Sequence, residues 1–263
     1  VYTDDGRQKA QFGVSRGYLL PSTITEDTVY TADRLYIVGA DVVIPEGVTV
    51  TFEEGCEIQF YDDRDYYNSP KITVYGELNI IGTADNMVKM YPSERHSEFA
   101  YGIVVSGNLE IAYADIINVV IGFVDSNDST VSVSVNNSYL QTCASQGGHG
   151  YVLIYDQGRI DTPGTSILHY FDGKYETAGE VTYNNNYLES MTYSEMFATN
   201  FYNNFLLVTY SSFAYELKCE NFENNIVLSS GVSPYIHDIK IANEGKNNSF
   251  IALEELRDAI PIK

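Results

Sequence analysis

From Ile24 onward, apolar side chains fall at alternate positions in short runs. Val29, Leu35, Ile37, Val42, Ile44, Val48, Val50, Phe52, Ile58 and Phe60 mark the first of them. Gly39, Pro45-Glu46-Gly47 and Glu53-Glu54-Gly55 break the runs; residues of these kinds close strands because they permit positive φ or withhold a backbone donor. The same rhythm returns in 72–76, 78–82 and 102–107. A period of two with frequent breaks predicts strands of about 3 to 5 residues. No stretch before residue 249 sustains the helical period of about 3.6, so crossover helices are not expected. Short strands without helices leave a sandwich, a barrel or a β-helix. The tail reads differently. Leu253, Leu256 and Ile260 share one helical face, Glu254 and Glu255 lie near its positive N-terminus, and Pro261 ends it. That pattern predicts a short C-terminal capping helix.

A second pattern runs through the C-terminal half. Asn-Asn recurs at 136–137, 185–186, 203–204, 224–225 and 247–248. Taking the second Asn of each pair, the steps are 49, 18, 21 and 23 residues (186−137, 204−186, 225−204, 248−225). The first step is close to twice the others, as if one copy had lost its pair. Tyr139, Tyr187, Phe205, Ile226 and Phe250 follow the pairs within one or two positions. A repeat of roughly 20 residues built from short strands is a solenoid, in which each turn stacks only on its neighbours. A coil needs Gly or Asn where the backbone turns with positive φ, and Asn stacked on successive coils forms amide ladders. The pairs are therefore read as structural. Residues 141–183 interrupt the repeat with Gln146 to Gly150, Asp161 to Gly164 and Phe171 to Lys174, the expected place for loops that project from a coil.

Composition narrows the partners. The chain has 263 residues, 36 acidic against 15 basic, and a formal net charge of −21. A field of that sign repels nucleic acid and anionic membrane surfaces. No apolar run approaches the ~20 residues of a membrane helix, so membrane insertion is not expected either. Tyr is in excess, at 23 with 12 Phe and no Trp, and suits a half-buried pleated surface. Cys56, Cys143 and Cys219 are odd in number and far apart, which is not a disulfide framework; they are read as buried free thiols.

Residues 40–60, Ala-Asp-Val-Val-Ile-Pro-Glu-Gly-Val-Thr-Val-Thr-Phe-Glu-Glu-Gly-Cys-Glu-Ile-Gln-Phe, resemble the opening coils of bacterial right-handed parallel β-helix proteins, the pectate-lyase-like superfamily. Residues 72–90, with Gly76-Glu77-Leu78 and Gly82-Thr83, resemble the next coil, and 101–105 with 109–118 the one after. The resemblance departs where Trp is common before Gly-Ile; Tyr101 stands there. It covers about 24 to 125 closely, and the Asn-Asn coils extend it to 250. It implies an all-β, single-stranded right-handed parallel β-helix and a secreted or cell-surface bacterial protein. The superfamily hosts binding, adhesion and polysaccharide-cleaving members, so shape leaves activity open. The expected organisation is a lead-in over 1–23, a β-helix of roughly 9 to 11 coils over 24–248, and a capping helix over 249–263, in a single domain and as a monomer.

Candidate chemistry gathers in Tyr61-Asp-Asp-Arg-Asp-Tyr-Tyr67. Asp62, Asp63 and Asp65 are candidate calcium ligands, since Ca²⁺ takes oxygen donors, although the usual calcium loop is absent and solvated loop charge is the plainer reading. Tyr61, Tyr66 and Tyr67 form a candidate sugar platform, because an aromatic face accepts the C–H face of a pyranose. Hydrolysis of a glycosidic bond would need paired carboxylates on neighbouring coils. Asp156 with Asp172, or Glu220 with Asp238, has that spacing; Lys218 and Lys240 stand as candidate bases for β-elimination. The polygalacturonase set and the Arg-x-Pro-x-x-Arg motif of one lyase family are missing. His96, His149, His169 and His237 are scattered. The leading expectation is a non-catalytic module that binds polysaccharide, with calcium as candidate cofactor. The alternatives are a pectin-directed lyase or hydrolase and a structural spacer or adhesin.

Overall fold

The computed structural model describes residues 17–61, 70–93, 101–117, 119–123, 132–141, 152–153, 161–162, 167–169, 180–189, 195–208, 216–229 and 239–252. It is all-β over these residues. Three sheets carry nearly all the strands, and every pairing inside them is parallel. Sheet 1 has ten strands, from Tyr18–Leu19 to Ser249–Ala252. Sheet 2 has nine, from Thr28–Tyr30 to Ile239–Glu244. Sheet 3 has five, from Val42–Ile44 to Ile167–His169. Val152–Leu153 and Asp161–Thr162 pair antiparallel outside them.

The chain visits the sheets in rotation. Thr49–Phe52 lies in sheet 2, Glu57–Phe60 in sheet 1 and Ile72–Val74 in sheet 3; Glu77–Ile81 then returns to sheet 2 beside Thr49–Phe52. Each circuit is one rung. The molecule is thus a parallel β-helix, as the Asn-Asn repeat predicts. Inward positions are apolar and closed to solvent: Ile58, Phe60, Val74, Leu78, Ile80, Val88 and Met90 are fully buried in consecutive strands. Side chains of this kind contribute about 1.5–3 kcal/mol each on burial, and stacking in register lets every rung fill the space above the last.

The corner from sheet 2 to sheet 1 explains the glycines and asparagines. Gly55 sits there with φ 76°, as Gly47 does at the preceding corner. Later rungs put Asn137, Asn185, Asn203, Asn224 and Asn247 at this corner with φ between 52° and 63°, and Tyr113 adopts φ 53°. The left-handed region suits Asn and Gly and strains a tyrosine.

The residue after each left-handed Asn points inward and builds a ladder. Asn186, Asn204 and Asn225 are buried. The backbone N–H of Asn186 donates to Asn204 Oδ1 (2.9 Å), that of Asn204 to Asn225 Oδ1 (2.8 Å), and that of Asn225 to Asn248 Oδ1 (3.0 Å). Each amide Nδ2 reaches back to a carbonyl of the previous rung: Asn186 to Val135, Asn204 to Tyr183, Asn225 to Phe201, Asn248 to Phe222. Ser138 begins the column, its N–H donating to Asn186 Oδ1 (2.9 Å) while its Oγ accepts from the Ala114 N–H (3.1 Å). Buried amides are thereby satisfied at both ends.

Two sequence expectations change here. No copy is lost in the long step: Asn136 pairs with Asn184 and Tyr139 with Tyr187, so residues 48 apart are neighbours on adjacent rungs. The 136–137 pair is also out of phase with the others, because its second Asn takes the corner and Ser138 takes the inward place. Of the stretch where projecting loops were expected, Ile167–His169 joins sheet 3 and Val152–Leu153 pairs with Asp161–Thr162, and most of the rest lies outside the described residues.

Among the described residues, parallel pairing runs from Tyr18 to Ala252. Ser249–Ala252, assigned to the capping helix by sequence, is a strand instead: Val227 and Phe250 are register partners, and the ladder from Asn225 to Asn248 carries the coil through. The rest of the predicted helix, 253–263, lies outside the described residues, as do residues 1–16.

Candidate functional site

The expected loop site can be placed only at its first residue. Tyr61 follows the strand Glu57–Phe60, is 54% exposed, and donates its N–H to the Val38 carbonyl (2.9 Å). Asp62, Asp63, Asp65, Tyr66 and Tyr67 lie outside the described residues, and so do Asp156, Asp172, Asp238, His96, His149, His237 and Cys143. Lys218 and Lys240 are register partners on neighbouring strands. Glu220 is exposed on the first of these strands, Glu216–Glu223.

Sheet 1 brings together a different set. Its inward residues alternate with an outward row that runs along the axis in register: Glu57, Lys89, Asp115, Tyr139, Tyr187, Phe205, Ile226 and Ser249. Leu140, Leu188, Leu206 and Val227, one residue further along each strand, are buried, so the row itself faces out. The Tyr139 and Tyr187 rings stack at 5.2 Å and 21°, and Tyr187 and Phe205 at 5.1 Å and 5°. These separations follow the spacing of neighbouring strands, about 4.8 Å, with rings offset to suit their quadrupoles. All three rings are half-buried, and Ile226 is 42% exposed. Phe250, which follows the last Asn pair, departs from this row: it is the register partner of the buried Val227. Although 38% exposed, its ring stacks on Phe222 at the end of a column with Phe201 and Tyr183, centroids 5.5 to 6.0 Å apart.

The head of the row is charged. Lys89 Nζ lies 3.6 Å from Glu57 Oε1, and the Tyr91 hydroxyl donates to Glu57 Oε2 (3.2 Å). Burial, then the Glu57 charge and hydrogen bond, push the Tyr91 phenol up. Asp115 is half-buried between Lys89 and Tyr139 in register. Desolvation holds its carboxyl above the usual carboxylate range, opposed by the Lys89 charge, and its Oδ1 is buried without a hydrogen-bond partner. The Asn phase aligns Tyr139, Tyr187, Phe205 and Ile226 in the sequence, but not Glu57, Lys89 and Asp115, whose rungs carry no Asn pair.

Neither described thiol suits chemistry. Cys56 and Cys219 are free and buried, and burial pushes them up to about 11 and about 12. Both stay protonated and poorly nucleophilic at neutral pH.

The fold and this face define a parallel β-helix with an aromatic row along one outer sheet. No protein-family model matches the chain, and neither a curated protein nor a solved structure matches it.

Proposed function

We propose that this chain is a non-catalytic β-helix module that binds a linear polysaccharide lengthwise on the outer face of sheet 1. The observation that carries the reading is the in-register row of Tyr139, Tyr187 and Phe205, half-exposed and repeating once per rung. A polymer with repeating units can make one weak contact many times on a surface that also repeats, and linked contacts multiply in strength. Ring faces inside the stack are covered by their neighbours. Sugar contact therefore falls on ring edges, phenolic oxygens and the aliphatic Ile226 rather than on an open ring platform. Calcium held by Asp62, Asp63 and Asp65 remains part of the proposal.

Affinity electrophoresis through gels containing soluble glycans tests the reading, with and without EDTA. Retardation by at least one linear glycan is expected, and its loss in a Tyr139→Ala/Tyr187→Ala variant. Free migration in every glycan removes it. One observation favours a second reading, a rigid spacer without a small ligand: the conspicuous Asn and aromatic residues are absorbed into ladders and stacks that hold rungs together. On that reading the same variant loses stability and nothing else.

A further inference from the structure

Among the described residues, the outer face of sheet 1 is poor in available positive charge. Lys89 is the single basic residue of the row, and two carboxylates share it: Glu57 at 3.6 Å and Asp115 next in register. Arg34, just before the sheet 1 strand Leu35–Val38, is engaged by Asp33, and Lys71 lies 3.9 Å from Asp41. Beyond Asp115 the row continues as Tyr139, Tyr187, Phe205, Ile226 and Ser249, with no formal charge. The whole chain carries −21.

An acidic polysaccharide places a carboxylate on every unit. Docked along this row it would meet Asp115 and the net negative field. The described row offers no arginine fork to compensate its lost hydration. A neutral sugar meets the opposite situation. Its hydroxyls can donate to the Asp115 carboxylate and exchange hydrogen bonds with phenolic oxygens, while its C–H faces lie on Ile226 and the ring edges.

We propose that the ligand of this face is a neutral linear glycan, of hexose or pentose units without carboxylate groups. The inference rests on the polysaccharide-binding reading above. It makes Asp115 a specificity-determining residue, one that accepts sugar hydroxyls and repels uronates.

The test compares soluble xylan and mixed-linkage β-glucan with polygalacturonate and alginate, at low and high salt, with calcium and with EDTA. Retardation is expected in at least one neutral glycan, unchanged by salt. It should weaken at least about tenfold in Tyr139→Ala/Tyr187→Ala, equivalent to about 1.4 kcal/mol. Should that variant lose its far-UV circular dichroism spectrum, Tyr139→Phe/Tyr187→Phe keeps the rings, and a drop of about threefold is expected from the hydroxyls alone. Asp115→Asn should weaken retention by the neutral glycan, since a charged acceptor of sugar hydroxyls is lost, and gain measurable retention by polygalacturonate at low salt. Binding confined to polygalacturonate or alginate overturns the neutral-ligand inference and leaves polysaccharide binding standing. Absence of retention in all four overturns both.

Discussion

Tyr183 carries its hydroxyl into a fully buried position where it meets no hydrogen-bond partner. Removing an orphaned polar group from a core recovers part of its desolvation cost, about 1 kcal/mol. Tyr183→Phe is therefore expected to raise the urea midpoint without changing the slope, its ring still packed at a tilt against Phe201. Asp115 presents the charged counterpart. Its folded-state carboxyl titrates above the unfolded value because burial disfavours the ion, so protonation favours the folded chain and ionisation weighs against it. Asp115→Asn should be more stable than the parent at neutral pH. The difference should shrink as pH falls through the raised carboxyl value, read by thermal melts across a pH series. At Tyr113 the strain is in the backbone, with φ 53° in a position that five other rungs fill with Asn. Tyr113→Asn is expected to gain about 0.5–1 kcal/mol in chemical denaturation, and a loss would show that the tyrosine ring contributes more than the strain.

The ladder is the element that joins the rungs, and Asn204 is its centre. Asn204→Ala would leave the Asn186 N–H and the Tyr183 carbonyl buried without partners. Two such losses predict about 3 kcal/mol of destabilisation. Asn204→Asp should fare no better, since a carboxylate has no Nδ2 donor for the Tyr183 carbonyl. Much of this element is legible in the sequence. The left-handed corners demand Gly or Asn, so Gly47, Gly55 and the Asn pairs mark them, and alternation marks which face of each strand is buried. Ser138 is not legible, because a serine at the inward place satisfies one neighbour without advertising a repeat. The phase of the 136–137 pair is hidden for the same reason: spacing alone cannot say which Asn turns the corner. The strand at Ser249–Ala252 was masked by the helical spacing that follows it; pairing with Ile226–Ser229 and the Asn248 ladder bond override local pattern there. The candidate face was legible in part, because Tyr139, Tyr187, Phe205 and Ile226 each follow an Asn pair, while Glu57, Lys89 and Asp115 follow none. Tyr139, Tyr187 and Phe205 are neighbours only because rungs stack in register, which is a property of the coil rather than of any local segment.

At the scale of the whole molecule, each rung touches only the next, so stability is close to a sum of rungs and interfaces. Damage near one end should therefore stay local. In Asn225→Ala, hydrogen exchange is expected to accelerate across Phe205–Val208 and Ser249–Ala252, with Leu35–Val38 and Glu57–Phe60 unchanged. Uniform acceleration along the chain would instead indicate one cooperative unit. The rung between Tyr139 and Tyr187 has a further consequence. The hydrogen bond that Asn185 Nδ2 donates to Asn137 Oδ1 and the stacked rings close this rung as the shorter ones are closed, although 48 residues separate the partners. Chain spliced between Gln141 and Ile167 would thus neither lengthen the rod nor shift what lies beyond it. A grafted epitope or enzyme at that point would stand out sideways at a set height, which makes the molecule a ruler for lateral display.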